Sequence, residues 1–288
     1  MKPCAVATAL LLACLLAGPL QAATVVRYFQ TDARYAYRTE LLRLALDKTR
    51  ATDGPYALRP CHGGGQLATA RGLVLVEKGA ADVFSLATTA ELERRFIPVR
   101  IDIMRGILGY RIFLIHRDSV AAFKAVKSLD QLRQQFVAGF GAAWPDLAIL
   151  QAGGLSVEPV DVYESLFPML AFKRFDYFPR GINEIWDEQL TWGRRYPQLR
   201  VEESLALYYP MTVYFFVSKH NPALAKRLER GLQLVLADGS FRALFLKSHG
   251  QAIRQSRLER RRLFRLKNPT LPPGTPDPEP GWWLKQRL

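Results

Sequence analysis

The chain has 288 residues and carries 40 Lys and Arg against 26 Asp and Glu, a formal net charge of +14, with 49% hydrophobic and 23% charged residues. That apolar fraction excludes a disordered chain, and the length suffices for one or two domains with a full core. Three cysteines, two of them within the first 14 residues (Cys4 and Cys14), exclude a disulfide-stapled scaffold.

At the N-terminus, Met1 and Lys2 form a short basic start. Residues 5–16 are almost purely apolar, Gly18 and Pro19 break the run, and Leu20-Gln21-Ala22 is an A-x-A-like cleavage site. That order is a secretory signal, and the run is shorter than the roughly 20 residues of a membrane span. An uncleaved anchor is the alternative. Leu11-Leu12-Ala13-Cys14 also resembles a lipobox, so processing at Cys14 would tether the chain through acyl groups. Cleavage at Ala22 leaves Cys61 as the lone thiol, read as a small buried apolar residue.

Residues 24–29 are β-branched and aromatic and predict a strand. Asp32 is placed to cap a helix in which Tyr37, Leu41, Leu44 and Ala45 form an apolar stripe. Residues 56–60 and 81–86 predict strands on either side of a helix over 66–77. This β-α-β-α-β rhythm implies a parallel sheet with right-handed crossovers. A second α/β set follows, with strands over 107–116, 136–140, 157–160, 175–178 and 199–207. Its helices are predicted over 118–126, 129–133, 145–151, 163–172 and 182–196. A strongly apolar strand over 211–217 and helices beginning at Asn221 and Ser240 then complete the first set. Beyond His249 a basic helical segment leads into a Pro-rich stretch, with Trp282 and Trp283 as anchors. Residues 251–288 hold nine Lys or Arg against three Asp or Glu. Such a run suits an anionic partner, such as a phospholipid surface, or is a solvated helix face. Nothing in the sequence reads nucleic acid.

The order Gly79-Ala80-Ala81-Asp82-Val83, Thr88-Thr89, Arg94-Arg95 resembles the "G-x-x-D … T-x-x-R" segment of family 3 solute-binding proteins, the polar-amino-acid class serving ABC transporters. Ser128-Leu129-Asp130-Gln131-Leu132 is similar to the family's "S-L-x-D-L" lead into its second lobe. Asn221-Pro222-Ala223-Leu224 and Asp238-Gly239-Ser240-Phe241 resemble its closing helices. The resemblance spans 25–250 and implies a two-lobed α/β fold of the periplasmic-binding type II class, each lobe a sheet flanked by helices. The lobes are expected over 23–106 plus 209–250 and over 107–208, hinged at 105–110 and 206–210. It further implies a monomer in the periplasm that captures a small polar or anionic solute for an ABC permease, or a sensor built on the same fold. In this family an arginine three residues after the threonine holds a carboxylate. Here Arg94 falls five residues after Thr89.

Cleft residues in such a fold come from loops after strands and from helix starts. That rule selects Gln30, Ser85, Thr88 and Arg94 in the first lobe, with Tyr37 as a wall. It selects Trp144, Asp146 and Arg180 in the second. Each has a structural alternative: Tyr37 and Trp144 as core, Asp146 as a helix cap, and Arg94 paired with Glu91 or Glu93. The four histidines are scattered without metal-ligand spacing, and no nucleophile elbow, phosphate loop or dinucleotide fingerprint is present. The reading is of a binder without metal or cofactor, not an enzyme.

Overall fold

The computed structural model describes residues 23–63, 67–276 and 283–284. The leader expected over 1–22, with its cleavage site and Cys14, lies outside them, as does Trp282. In chain order the strands are β1 Thr24–Tyr28, β2 Tyr56–Pro60, β3 Val83–Ala87, β4 Ile97–Val99, β5 Tyr110–His116, β6 Val137–Gly141, β7 Ser156–Val160, β8 Tyr177–Gly181, β9 Leu199–Val201, β10 Leu205–Tyr208, β11 Val213–Val217 and β12 Arg262–Arg265. The helices are α1 Ala36–Lys48, α2 Arg50–Asp53, α3 Thr69–Glu77, α4 Ala90–Arg95, α5 Val120–Ala125, α6 Leu129–Gln135, α7 Asp146–Ala152, α8 Leu166–Ala171, α9 Ile185–Gly193, α10 Pro222–Ala237 and α11 Ser240–Ser256.

They form two lobes. The first holds a five-stranded sheet in the order β2-β1-β3-β11-β4. β1 runs parallel to β2 and β3, and β11 enters antiparallel between β3 and β4. All five residues of β11 are buried, which explains its unbroken apolar sequence. On one face Phe84 lies between Phe216, stacked at 5.2 Å, and Phe96, edge-on at 4.8 Å. α1 and α10 belong to the larger core cluster with Leu41, Ala45, Leu228 and Leu232. The second lobe holds a seven-stranded sheet in the order β12-β10-β5-β8-β6-β7, with β9 also paired to β5.

Local chemistry accounts for the element ends. Thr89, Ser128 and Asn221 accept backbone N–H bonds as N-caps of α4, α6 and α10. The strand expected over 199–207 is instead two strands. Glu202 is 4% exposed, and its carboxylate accepts the N–H groups of Ser204 and Leu205, each at 2.7 Å, which folds a turn between β9 and β10. The strand expected from 107 begins at Tyr110, because Arg105 and Gly106 sit at φ 48° and 74° and lead into a 3-10 turn over Ile107–Gly109. The helix from Ser240 runs on to Ser256, and the basic helix expected beyond it is corrected to an edge strand, β12, parallel to β10. Buried Arg261 explains the change. Its Nε donates to the Ser256 carbonyl at 2.6 Å and its Nη1 to the Leu205 carbonyl at 3.1 Å and to the Glu202 carbonyl, tying the basic run to the second lobe.

The chain therefore passes between the lobes three times, over 100–109, 209–212 and 257–261. Asp102 clasps the first two passages. Its carboxylate accepts from Met104 N at 3.0 Å, Gly106 N at 2.7 Å and Val213 N at 3.1 Å.

Candidate functional site

Antiparallel register sets Arg111 of β5 opposite Gly181 of β8. A Cβ on this glycine would lie 2.8 Å from Asn183 Oδ1, 3.0 Å from Glu184 Oε2 and 3.1 Å from Arg111 Nη1, so three polar groups share the space above it. Arg111 is 6% exposed. Its Nη2 meets Asp146 Oδ2 at 2.5 Å and its Nε donates to Tyr209 Oη at 2.7 Å, while the Tyr209 hydroxyl donates to Asp146 Oδ2 at 2.7 Å. The result is a closed triangle where β5, the start of α7 and the second passage meet. Burial, with the Asp146 carboxylate beside it, pushes the Tyr209 phenol well above its usual range.

A second knot forms around Arg180. Its Nε and Nη2 donate to Glu188 Oε2 and Oε1 at 2.7 and 2.5 Å, and Nη2 lies 3.1 Å from Glu184 Oε2. Its guanidinium rests 4.8 Å over the Trp144 ring and 4.9 Å over Phe178. Tyr163 donates to Glu188 Oε1 at 2.8 Å. Glu184 joins the two knots, lying 3.6 Å from Arg111 Nη1. Burial opposes its charge, but the guanidinium groups of Arg180, Arg111 and Arg38 outweigh that and hold its carboxyl below the ordinary glutamate range.

Arg38 approaches from the first lobe, with Nη1 donating to the Ser85 carbonyl at 3.3 Å. Ser85 is itself gripped by Gln30. The amide oxygen accepts from Ser85 N at 2.7 Å and the amide nitrogen donates to Ser85 O at 2.9 Å, which locks the ends of β1 and β3 together.

The structure thus brings Gln30 with Ser85, and separately Trp144 with Arg180. Asp146 lies in the Arg111 triangle. Tyr37 is 7% exposed within the core. Its hydroxyl donates to the Ile103 carbonyl at 2.9 Å and its ring sits 4.6 Å from that of His249. Thr88 is buried and its hydroxyl donates to Glu93 Oε1 at 2.7 Å. Arg94 is exposed on α4, and no hydrogen bond or ion pair of its side chain joins it to either knot. Arg111, Glu184, Glu188, Tyr209 and Arg38 were not selected by sequence reasoning. Arg111 carried a signal nonetheless, since a cation inside the apolar run of β5 must find a buried partner. Glu184 and Glu188 lie four and eight residues after Arg180, on one helical face.

Two spaces adjoin these knots. One is a void of about 10 Å³ lined by Gln30, Arg38, Ser85 and Phe215 among others, with room for about one water. The other is an open groove of about 690 Å³ between α9 of the second lobe and the C-terminal half of α11.

This arrangement of two lobes on crossing segments places the chain in a known class: it has the type II periplasmic-binding fold. Several solved structures share that fold. A probable amino-acid ABC transporter extracellular-binding protein from Bacillus subtilis superposes with a TM-score of 0.57 at 16% identity, over 79% of this chain and 97% of its own. An arginine-specific periplasmic binding protein from Salmonella typhimurium gives a TM-score of 0.52 at 13% identity, over 78% and 99%. A histidine kinase sensor domain gives 0.50 at 16% identity, over 80% and 96%. No family model matches the sequence, and no curated protein is similar to it.

Proposed function

We propose that this chain is a periplasmic solute-binding protein that captures a small polar or anionic solute between its lobes for an ABC importer. One observation carries the reading. Charged groups of the two lobes, Arg38 held at Ser85 on one side and Glu184 paired with Arg180 on the other, lie close enough across the junction for the Arg38 charge to help lower the Glu184 pKa. Two lobes on such segments open and close as a hinge, and a solute that touches both favours the closed state. On this reading Gln30 and Ser85 close the site from the first lobe, and Trp144, Asp146 and Arg180 form its floor in the second. The protein acts as a monomeric binder rather than a catalyst. Exposed Arg254, Arg257, Arg260, Arg262, Arg265 and Lys267 give it a basic edge suited to anionic headgroups.

A sensor role is the second reading. It is favoured by the third passage between the lobes, which restrains the large excursions of a free hinge, and a histidine kinase sensor domain shares the fold. Screening the chain by thermal unfolding against a metabolite library tests the binding function, because a ligand selective for the folded state raises the melting temperature. At least one compound is expected to do so. A library without effect removes the binding reading. Permease and ATPase genes beside this one support transport, and a kinase gene supports sensing.

A further inference from the structure

Each arginine at the strand ends is already matched. Arg111 is held by Asp146 and Arg180 by Glu188, and the void beside Gln30 and Ser85 has room for no more than about one water. A solute lodged there would have to break buried ion pairs. The space available between the lobes lies to the side, in the groove of about 690 Å³ between α9 and α11, a volume typical of small-molecule sites.

The walls of that groove have a definite chemistry. Asn183 and Gln189 project from the α9 side, and Gln251 and Gln255 from α11 at a spacing of four, which stacks them on one face. Each of these four amides offers both a donor and an acceptor. Behind this lining, Asn183 Oδ1, which lies over Gly181, and Trp186 Nε1 are buried with no hydrogen-bond partner among the described residues. Arg194, at the far end of α9, has no carboxylate within ion-pair distance among the described residues, and Asp187 is the acidic residue of the lining. Carbonyl oxygens of Pro197 and Leu199 engage neighbouring Arg200 through one nitrogen.

We propose that the solute site is this flank groove rather than the strand-end cleft, and that its ligand is a hydroxyl-rich monocarboxylate, of the size of a sugar acid or an acidic disaccharide. Hydroxyls match the facing amides, which both give and accept hydrogen bonds. The carboxylate pairs with Arg194. Because α9 belongs to one lobe and α11 to the other, such a ligand cross-links them and closes the hinge. The inference rests on the binding function proposed above, moves its site from the strand-end cleft to the groove, and names its ligand class.

The test uses isothermal titration of the full chain with glucuronate, galacturonate and lactobionate, alongside glucose, arginine and glutamate. Wild-type protein is expected to bind at least one of the sugar acids. Arg194→Leu and Gln251→Leu, both at the protein surface, are expected to weaken that binding at least tenfold, with the melting temperature of the unliganded protein unchanged. Binding of a sugar acid that these variants leave within twofold overturns the groove and spares the binding function. Binding of arginine or glutamate without any sugar acid overturns the ligand class in the same way. Absence of binding by every compound here overturns the ligand class, and a metabolite library that also fails removes the binding function itself.

Discussion

The indole N–H of Trp283 donates to the carbonyl oxygen of Arg105 at 2.8 Å, which ties the C-terminal end of the described chain to the first passage between the lobes. Trp283 is 1% exposed and meets Tyr110 edge-on, with ring centroids 5.3 Å apart. Asn268 makes a parallel bond to the second passage, its side-chain amide donating to the Pro210 carbonyl at 2.8 Å. The C-terminal residues therefore brace both passages, and the left-handed turn at Arg105 is held from outside by an aromatic plug.

Trp283→Ala should accordingly behave as a core mutation. The expected loss is about 3–5 kcal/mol of unfolding free energy, read from urea denaturation. Trp283→Phe retains much of the plug, and deletion of the hydrogen bond alone is expected to cost about 1 kcal/mol. A change within about 0.5 kcal/mol for the alanine variant, the range of ordinary surface positions, would show that the brace carries no stability.

The pairing of Arg180 with Glu188 gives a second expectation. Both residues are buried, at 7% and 9% exposure, so removing Glu188 strips Arg180 of its two-bond partner and leaves it only Glu184. Glu188→Ala is expected to cost about 3–5 kcal/mol, whereas joint replacement by Arg180→Met and Glu188→Leu is expected to cost less than that single change. A double-mutant cycle measured by chemical denaturation reads the coupling. Additive effects would mean that Arg180 is neutralised by Glu184 instead.

His249 sets a pH dependence. Burial, reinforced by the nearby Arg38 charge, lowers its pKa to about 4, and its ring packs against Tyr37 and Phe245. The folded protein therefore binds fewer protons at this site than the unfolded chain between pH 4 and about 6.5. Stability from this residue is full above about 6.5 and falls as the pH drops toward 4, by about 3 kcal/mol at the limit. His249→Phe is expected to flatten the acid limb of a plot of melting temperature against pH. An unchanged limb in the variant would assign the acid sensitivity to other groups.

Much of the fold was legible because periodicity and capping are local. The β-branched run at the start of β1 and the Asn221 cap before Pro222 both need only neighbouring residues. β12 was hidden for the converse reason. In Arg262-Leu263-Phe264-Arg265 only Phe264 is buried, and what makes the segment a strand is Arg261 reaching the carbonyls of Glu202 and Leu205. The site divides in the same way. Gln30 with Ser85, and Trp144 with Arg180, come together in the structure, but Ser85 and Arg180 lie inside β3 and β8 rather than in loops after them. Their partners are set by tertiary contacts: Arg111 finds Asp146 at a separation of 35 residues and Tyr209 at 98. Arg94 shows the limit of carrying a motif by order alone, since an exposed helix face separates it from the residues it was grouped with.

Glycine to alanine should act with opposite sign at two helical positions. In an exposed helix the change usually stabilises by about 0.5–1 kcal/mol, because alanine loses less backbone entropy on folding. Gly193 at the end of α9 meets nothing within 4 Å of a built Cβ, so Gly193→Ala is expected to follow that rule. Gly231 lies where α10 crosses α1, and a Cβ there would fall 2.2 Å from the Ala45 carbonyl oxygen. Backbone in a packed helix cannot step aside as a side-chain tip can, so Gly231→Ala must separate the two helices. The expected cost is about 1–3 kcal/mol in spite of the favourable propensity. Measuring both variants in the same denaturation series makes each the control for the other. Stabilisation by both would mean that α1 and α10 do not approach at Gly231 as closely as the structure places them.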